Sequence, residues 1–274
     1  MKVFGSDNPL SWDDFERERN ILDDSLKRIR SDAGPIPYIS RWLYRGQSDK
    51  DWFLETTLER FVREEGISSK YLRIDRYLRK INSILPAIRS LSMAGFVEIL
   101  FEEVDDIKIL NLFEAHALLY HLRHLGFPSP LLDWSESYLV AAFFAFQRAR
   151  PNKDVAIYAM NLELTKYRVR ERGVPHIIDY GSYVETHRRH FNQQSRYSLC
   201  YAVQDKEYCI FPHENAVMLN PEFNTIQKYI IASSERKTVL EKLHHSNINA
   251  YTLFGSDEAL MDTLAYREFV REMP

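Results

Sequence analysis

The chain has 274 residues, 45% hydrophobic and 27% charged, a composition that supports a full folded core and excludes a disordered chain. A formal net charge of −3 gives no global electrostatic case for nucleic acid binding, and the longest apolar run, around 139–146, is far too short for a membrane span. The opening MKVFGSDNPLSW lacks the apolar core of a secretion signal, so a cytoplasmic protein is expected, with Cys200 and Cys209 as free thiols.

In chain order, Ser11 followed by Asp13 and Asp14 reads as a helix start, with acidic residues where the helix dipole favours them. Phe15, Ile21, Leu22, Leu26 and Ile29 continue at helical spacing until SDAGPIP at 31–37 ends the run. YISRWLYRG is rich in aromatic and β-branched residues and stops at a glycine, which gives a strand ending near Arg45. Helices are expected over 69–92, on Tyr71, Ile74, Tyr77, Leu78, Ile81 and Ile84, and over 109–125, closed by Gly126 and Pro128. LVAAFFAF at 139–146 is helical by composition, its alanines permitting close approach to a neighbour. DVAIYAMNL at 154–162 alternates as a strand does, whereas 163–195 carries many charges with no period and reads as a long loop. YSLCYAV (197–203), EYCIFPH (207–213) and QKYIIAS (227–233) read as strands, ERKTVLEKLHHSNI as a helix, and YTLFGSDEALMDTLAYREF closes with another short helix. Helices come early and strands late, which favours an α+β fold over an alternating parallel sheet. We expect a single domain, 38–265, with a central sheet, whole or split, flanked by helices. An N-terminal helix within 1–37 packs on it, and 266–274 forms a tail.

Two stretches carry the candidate chemistry. In LYRGQ (43–47), Arg45 at the end of a strand can present its planar fork to a phosphate or carboxylate, and Gly46 would let a ligand approach the backbone. The competing reading is a structural ion pair with Glu55 or Asp133. In LLDWSESYLVAAFFAF (131–146), Ser135 and Ser137 precede an apolar helix; Ser135 there can be an N-cap and Asp133 a turn-former. Arg168, Arg170, Arg172, His187, Arg188, Arg189 and His190 make a basic region, and Glu102, Glu103, Asp105 and Asp106 an acidic one; both read as solvated faces, or the basic one as the lip of an active cleft. His121 and His124 lack a third ligand, so no metal is expected.

The segments WLYRGQS, WFLETTLER and HLGFPSPLLDWSESYLVAAFFA resemble the FRG domain family, and RRHFNQQSRYS and LEKLHHSNINAYTLF extend the resemblance over roughly 38–265. Tyr44 stands where that family has Phe, Arg123 and Pro130 where it has Gln and Arg, and Ser195 where it has Gly. An Arg-Gly closing the first strand, then a serine-rich turn entering a helix, is similar in layout to ADP-ribosyltransferases. That likeness implies an ADP-ribosyltransferase-like fold and NAD as co-substrate. Arg45 would hold its pyrophosphate or ribose, with Tyr44, Gly46, Gln47 and His124 around it. Ser135 or Ser137 would brace the cleft, and Trp134 or Tyr138 would stack near nicotinamide. Gln193–Gln194 would fall where such enzymes keep a glutamate. A carboxylate stabilises an oxocarbenium-like sugar far better than an amide does, so Asp133 or Glu207 would supply the charge and Gln194 would hold a ribose hydroxyl. The resemblance further implies a bacterial toxin or anti-phage effector with a neutralising antitoxin, and an RNA or DNA base as acceptor, stacked by Phe191 and Tyr197. Transfer to a protein side chain, and nucleotide or partner binding without catalysis, are the alternatives.

Overall fold

A computed structural model of the chain describes residues 1–32, 42–68, 72–89, 116–161, 173–179, 188–218 and 226–270. The first elements are β1 (Lys2–Phe4), α1 (Trp12–Asp32), β2 (Leu43–Gln47), α2 (Thr57–Glu64), α3 (Ile74–Arg89) and α4 (His116–His124). Next come β3 (Leu132–Ser135), α5 (Tyr138–Phe146), β4 (Val155–Met160), β5 (His176–Asp179), α6 (Arg188–Asn192), β6 (Ser195–Gln204) and β7 (Glu207–Ile210). The chain closes with α7 (His213–Met218), β8 (Ile226–Ile231), α8 (Arg236–His245), α9 (Ala250–Phe254) and α10 (Asp257–Ala265), which runs into a π-turn at Tyr266–Val270. The expected strand start at 38–41 and helix ends at 69–71, 90–92 and 109–115 lie outside the described residues, as do Glu102, Glu103, Asp105, Asp106, Arg168, Arg170, Arg172 and His187.

The fold is mixed α+β. Its sheet has eight strands among the described residues, in the order β1-β8-β4-β2-β3-β6-β5, with β7 paired to β6. Every pairing is antiparallel except β1 with β8. Strand alternation sorts the core into two faces. In β4, whose six residues are all buried, Val155, Ile157 and Ala159 face a cluster with α1, α5 and α8, while Ala156, Tyr158 and Met160 face a second cluster with Leu43, Leu132 and Trp134. A third cluster packs α2, α3 and α4 onto Tyr197, Leu199 and Tyr201 of β6. Burial of each large aliphatic side chain among them stabilises the fold by about 1.5–3 kcal/mol. Helix α5 is apolar all round because it lies between the sheet and α8, burying Val140, Ala141, Ala142, Phe143, Ala145 and Phe146.

Elements that the sequence pattern does not announce are mostly short. LLDWS forms strand β3 rather than a turn, since Leu132 and Trp134 share one buried face while β6 supplies a full four-residue ladder. Helix α2 starts on a capping box: the Thr56 hydroxyl accepts from the Glu59 N–H at 3.2 Å, and the Glu59 carboxylate accepts from the Thr56 N–H at 2.7 Å. The closing segment is two helices, because Gly255 at φ 66° ends α9 and Ser256 caps α10. Both cysteines are free, Cys200 buried and Cys209 half-buried.

Candidate functional site

The site follows from how β2 is flanked. On one side β2 pairs with β4 along its whole length, from Leu43 opposite Met160 to Gln47 opposite Ala156. On the other side it meets β3 at one position, Tyr44 opposite Ser135. Continuing that register would set Arg45 opposite Trp134, but the strands diverge there. The Arg45 side chain bridges the gap instead, its Nη1 donating to the Asp133 carbonyl oxygen at 2.9 Å. A cleft of about 280 Å³ opens at this divergence, lined by Tyr44, Arg45, Gly46, Gln47, Asp133, Trp134 and Ser135 among the expected residues.

Charge pairing inside the cleft is uneven. Asp133 is gripped by the Arg123 guanidinium, Nε and Nη2 each meeting one carboxylate oxygen, while Arg123 Nη1 donates to Thr57 Oγ1 at 3.1 Å. Arg60, also in the wall, lies 3.5 Å from Glu55, which Arg63 engages at 2.8 Å. Arg45 has no carboxylate partner among the described residues: its Nε is buried without a hydrogen bond, and Nη2 makes none either. Burial pulls the Arg45 pKa down to about 10, Arg123 and Arg60 push the same way, and Asp133 opposes them. The guanidinium therefore stays charged at neutral pH, held by one carbonyl and, among the described residues, by no carboxylate within ion-pair distance. Neither carboxylate named for an ion pair with Arg45 reaches it: Asp133 offers its backbone carbonyl and turns its carboxylate to Arg123, while Glu55 meets Arg60 and Arg63.

Gly46 has a packing role. A Cβ built on it would stand 1.9 Å from the Ala141 carbonyl oxygen and 2.7 Å from the Ala145 nitrogen. The glycine thus admits helix α5 against the strand, and the helix occupies the approach expected for a ligand. Gln47 faces the same side as Arg45; its Nε2 donates to the Phe53 carbonyl at 3.0 Å. The helix cap is Ser137, whose Oγ accepts from the Val140 N–H at 3.3 Å. Ser135 instead braces the cleft: its Oγ donates to the Gln193 carbonyl at 2.7 Å and accepts from the Ser137 N–H at 3.0 Å.

Several expected residues stand elsewhere. Tyr138 points towards α1, stacked on Trp12 at 6.3 Å with the Arg19 guanidinium 4.3 Å above its ring, and does not line the cleft. Trp134 is a buried floor rather than a stacking wall, since its Nε1 donates to Ser198 Oγ at 2.7 Å and its ring joins a core cluster. Gln194 sits exposed at φ 47°, and its carbonyl accepts from the Glu136 N–H at 3.0 Å; the glutamine in the wall is Gln193. Glu207 pairs with Arg73 in β7 and is not part of the wall. Tyr197 is buried between Tyr120 and His190, at ring distances of 4.0 and 5.8 Å, leaving Phe191 as the exposed aromatic of that region. His124 ends α4, and its side chain lies outside the described residues, as does that of Arg188. Among the described residues no group of three or more His, Cys, Asp or Glu could hold a metal ion.

The wall also includes Gln193, one of the pair expected at the glutamate position, and Ser48, Trp52, Arg60, Phe144 and Ser195, none of which the sequence marks as a cofactor contact. Two adjacent aromatics in an otherwise charged run, DKDWFLE, were the available signal for Trp52.

Residues 40–154 match the family model of the FRG domain. This span contains β2, the loop bearing Trp52, helix α2, β3 and α5, which together build most of the cleft. No curated protein and no solved structure matches the chain. No described helix is long and apolar enough to cross a membrane.

Proposed function

We propose that the cleft binds a phosphate-bearing nucleotide through Arg45 and that the protein, with NAD as co-substrate, transfers ADP-ribose to a nucleic acid base as a toxin or anti-phage effector. The observation that carries the binding part is the charge of Arg45, which is held without a carboxylate partner at the point where the sheet divides. A guanidinium with an unused Nη2 suits a phosphate oxygen, which would supply both the missing hydrogen bond and the missing counter-charge. A cleft of about 280 Å³ falls just below the range of drug-sized ligand sites, about 300 to 1,000 Å³, so it would take one part of a dinucleotide and leave the rest at its mouth.

Transfer would break the bond from ribose C1′ to the nicotinamide nitrogen, release neutral nicotinamide, and join C1′ to a nitrogen or oxygen of the acceptor, which gives up its proton. Asp133 is the carboxylate of the wall and the candidate for stabilising positive charge at C1′. Exposed Phe191, beside Arg189, would meet the acceptor base. A neutralising antitoxin would act by covering this mouth.

A second reading, nucleotide binding without catalysis, is favoured by one observation: Arg123 already neutralises Asp133. Incubation with labelled NAD and cellular RNA, DNA or protein separates the two. Transfer of label or release of nicotinamide by wild type, lost in Arg45→Ala, supports the transferase; nucleotide binding with neither product supports the binding module.

A further inference from the structure

The chain has four tryptophans. Trp12, Trp42 and Trp134 are at most 4% exposed, whereas Trp52 is 52% exposed and stands in the wall of the cleft. A large aromatic left open to water in the wall of a cleft forgoes the burial that its type normally finds. Nor does looseness of its loop explain the exposure, because the backbone is tied on both sides of the indole. The Lys50 N–H donates to the Asp154 carbonyl at 2.8 Å, and the Lys50 carbonyl accepts from Lys228 Nζ at 2.6 Å. The Asp51 N–H donates to Asp49 Oδ1 at 3.0 Å. Beyond the indole, the Phe53 carbonyl accepts from Gln47 and the Leu54 N–H donates to Glu214 Oε1 at 3.2 Å. Trp52 is thus an aromatic plate presented on a fixed backbone.

We infer that Trp52 stacks the heterocyclic base of the nucleotide whose phosphate Arg45 holds, making the ligand a nucleoside phosphate rather than a simple phosphate ester. This rests on the reading of Arg45 given above. Polynucleotide is the less suitable occupant of this plate, because Asp49 and Asp51 flank it and share a single Lys153 at 3.5 and 3.9 Å. A small nucleotide needs one phosphate contact and one stacked ring, which are the two features the cleft offers.

The test uses the full chain and three probes: ribose 5-phosphate, ADP and a short single-stranded oligonucleotide. ADP should bind about tenfold or more tightly than ribose 5-phosphate, the scale of base–aromatic stacking, and should quench tryptophan fluorescence. Trp52→Ala should abolish that quenching and lower ADP affinity to that of ribose 5-phosphate, whose own affinity stays unchanged; Trp52→Phe should restore most of the gap. Phe53→Ala, which removes a more exposed aromatic (62%) outside the wall, should change nothing. Equal binding of ADP and ribose 5-phosphate by wild type, with both lost in Arg45→Ala, would overturn the role of Trp52 and leave Arg45 standing. Binding of neither would overturn both. Quenching by the oligonucleotide alone would also overturn the inference, in favour of a polynucleotide surface.

Discussion

Replacing Gly46 with alanine tests how the cleft is built. The added methyl would sit 1.9 Å from the Ala141 carbonyl oxygen, 2.9 Å from its carbonyl carbon and 2.7 Å from the Ala145 nitrogen. Contacts of a Cβ essentially never fall below 3.0 Å, so helix α5 must retreat by at least about 1.1 Å. All three atoms belong to backbone, so no side-chain rotation relieves the clash. Gly46 is not in the left-handed region, unlike Gly66 at φ 61°, so the whole effect is steric. Overpacking a core usually costs about 1–3 kcal/mol, and displacing a helix buried on both sides belongs at about 3 kcal/mol. Because Ala141 and Phe144 of α5 line the cleft, the surviving folded protein should also bind ADP-ribose more weakly. Urea unfolding followed by far-UV circular dichroism measures the first effect, and calorimetric titration the second. As a control, Gly66→Ala meets nothing within 4 Å and should cost only about 1–2 kcal/mol through its backbone angle. A Gly46→Ala protein destabilised by less than about 1 kcal/mol would refute the account of helix and strand in contact.

Ser137→Ala should cost about 1 kcal/mol by removing the cap of α5, measurable by the same unfolding curves, whereas the alternative assignment puts that loss on Ser135 as cap. His213 is fully buried outside the wall of the cleft, its Nε2 2.7 Å from Ser198 Oγ, and burial together with the Arg45 charge pulls its pKa down to about 3. The unfolded imidazole takes its proton near 6.5, so between these values the unfolded state binds the extra proton and stability falls as pH is lowered. From pH 6.5 to 5 the loss is about 1.6 kcal/mol, and His213→Gln should remove that slope from a series of unfolding curves. Asp133→Asn should lower nicotinamide release by about 100-fold or more while leaving ADP-ribose affinity within about threefold. Arg123→Leu, which frees the carboxylate, should raise nicotinamide release above wild type, and a fall on that substitution would count against Asp133 as the stabilising charge.

The sequence made the long elements legible and the short ones obscure. Helix α3, helix α5 and strand β4 were readable because each carries a sustained period or an unbroken apolar run. Strand β3 was not, since LDWS has four residues, two of them polar, and owes its state to the ladder from β6. The site was legible in outline. Arg45, Asp133 and Ser135 do meet in one cleft, because one register point joins β2 to β3 and the strands part beyond it. What the local pattern could not give was pairing at a distance. Arg123, ten residues before Asp133, takes that carboxylate through the turn of α4, and Glu55 goes to Arg60 and Arg63. Nor could it tell Gln193 from Gln194: the left-handed turn at Gln194 sends the second glutamine outward and puts the first into the wall.

Calorimetric titration of ADP-ribose into wild type, Arg45→Ala and Arg45→Lys tests the role of Arg45 most directly, with thermal melts confirming that each variant is folded. A charge-assisted hydrogen bond of about 1.5–3 kcal/mol predicts a loss of roughly 10- to 150-fold in Arg45→Ala, with partial recovery in Arg45→Lys. A folded Arg45→Ala protein that binds ADP-ribose as tightly as wild type would contradict the account.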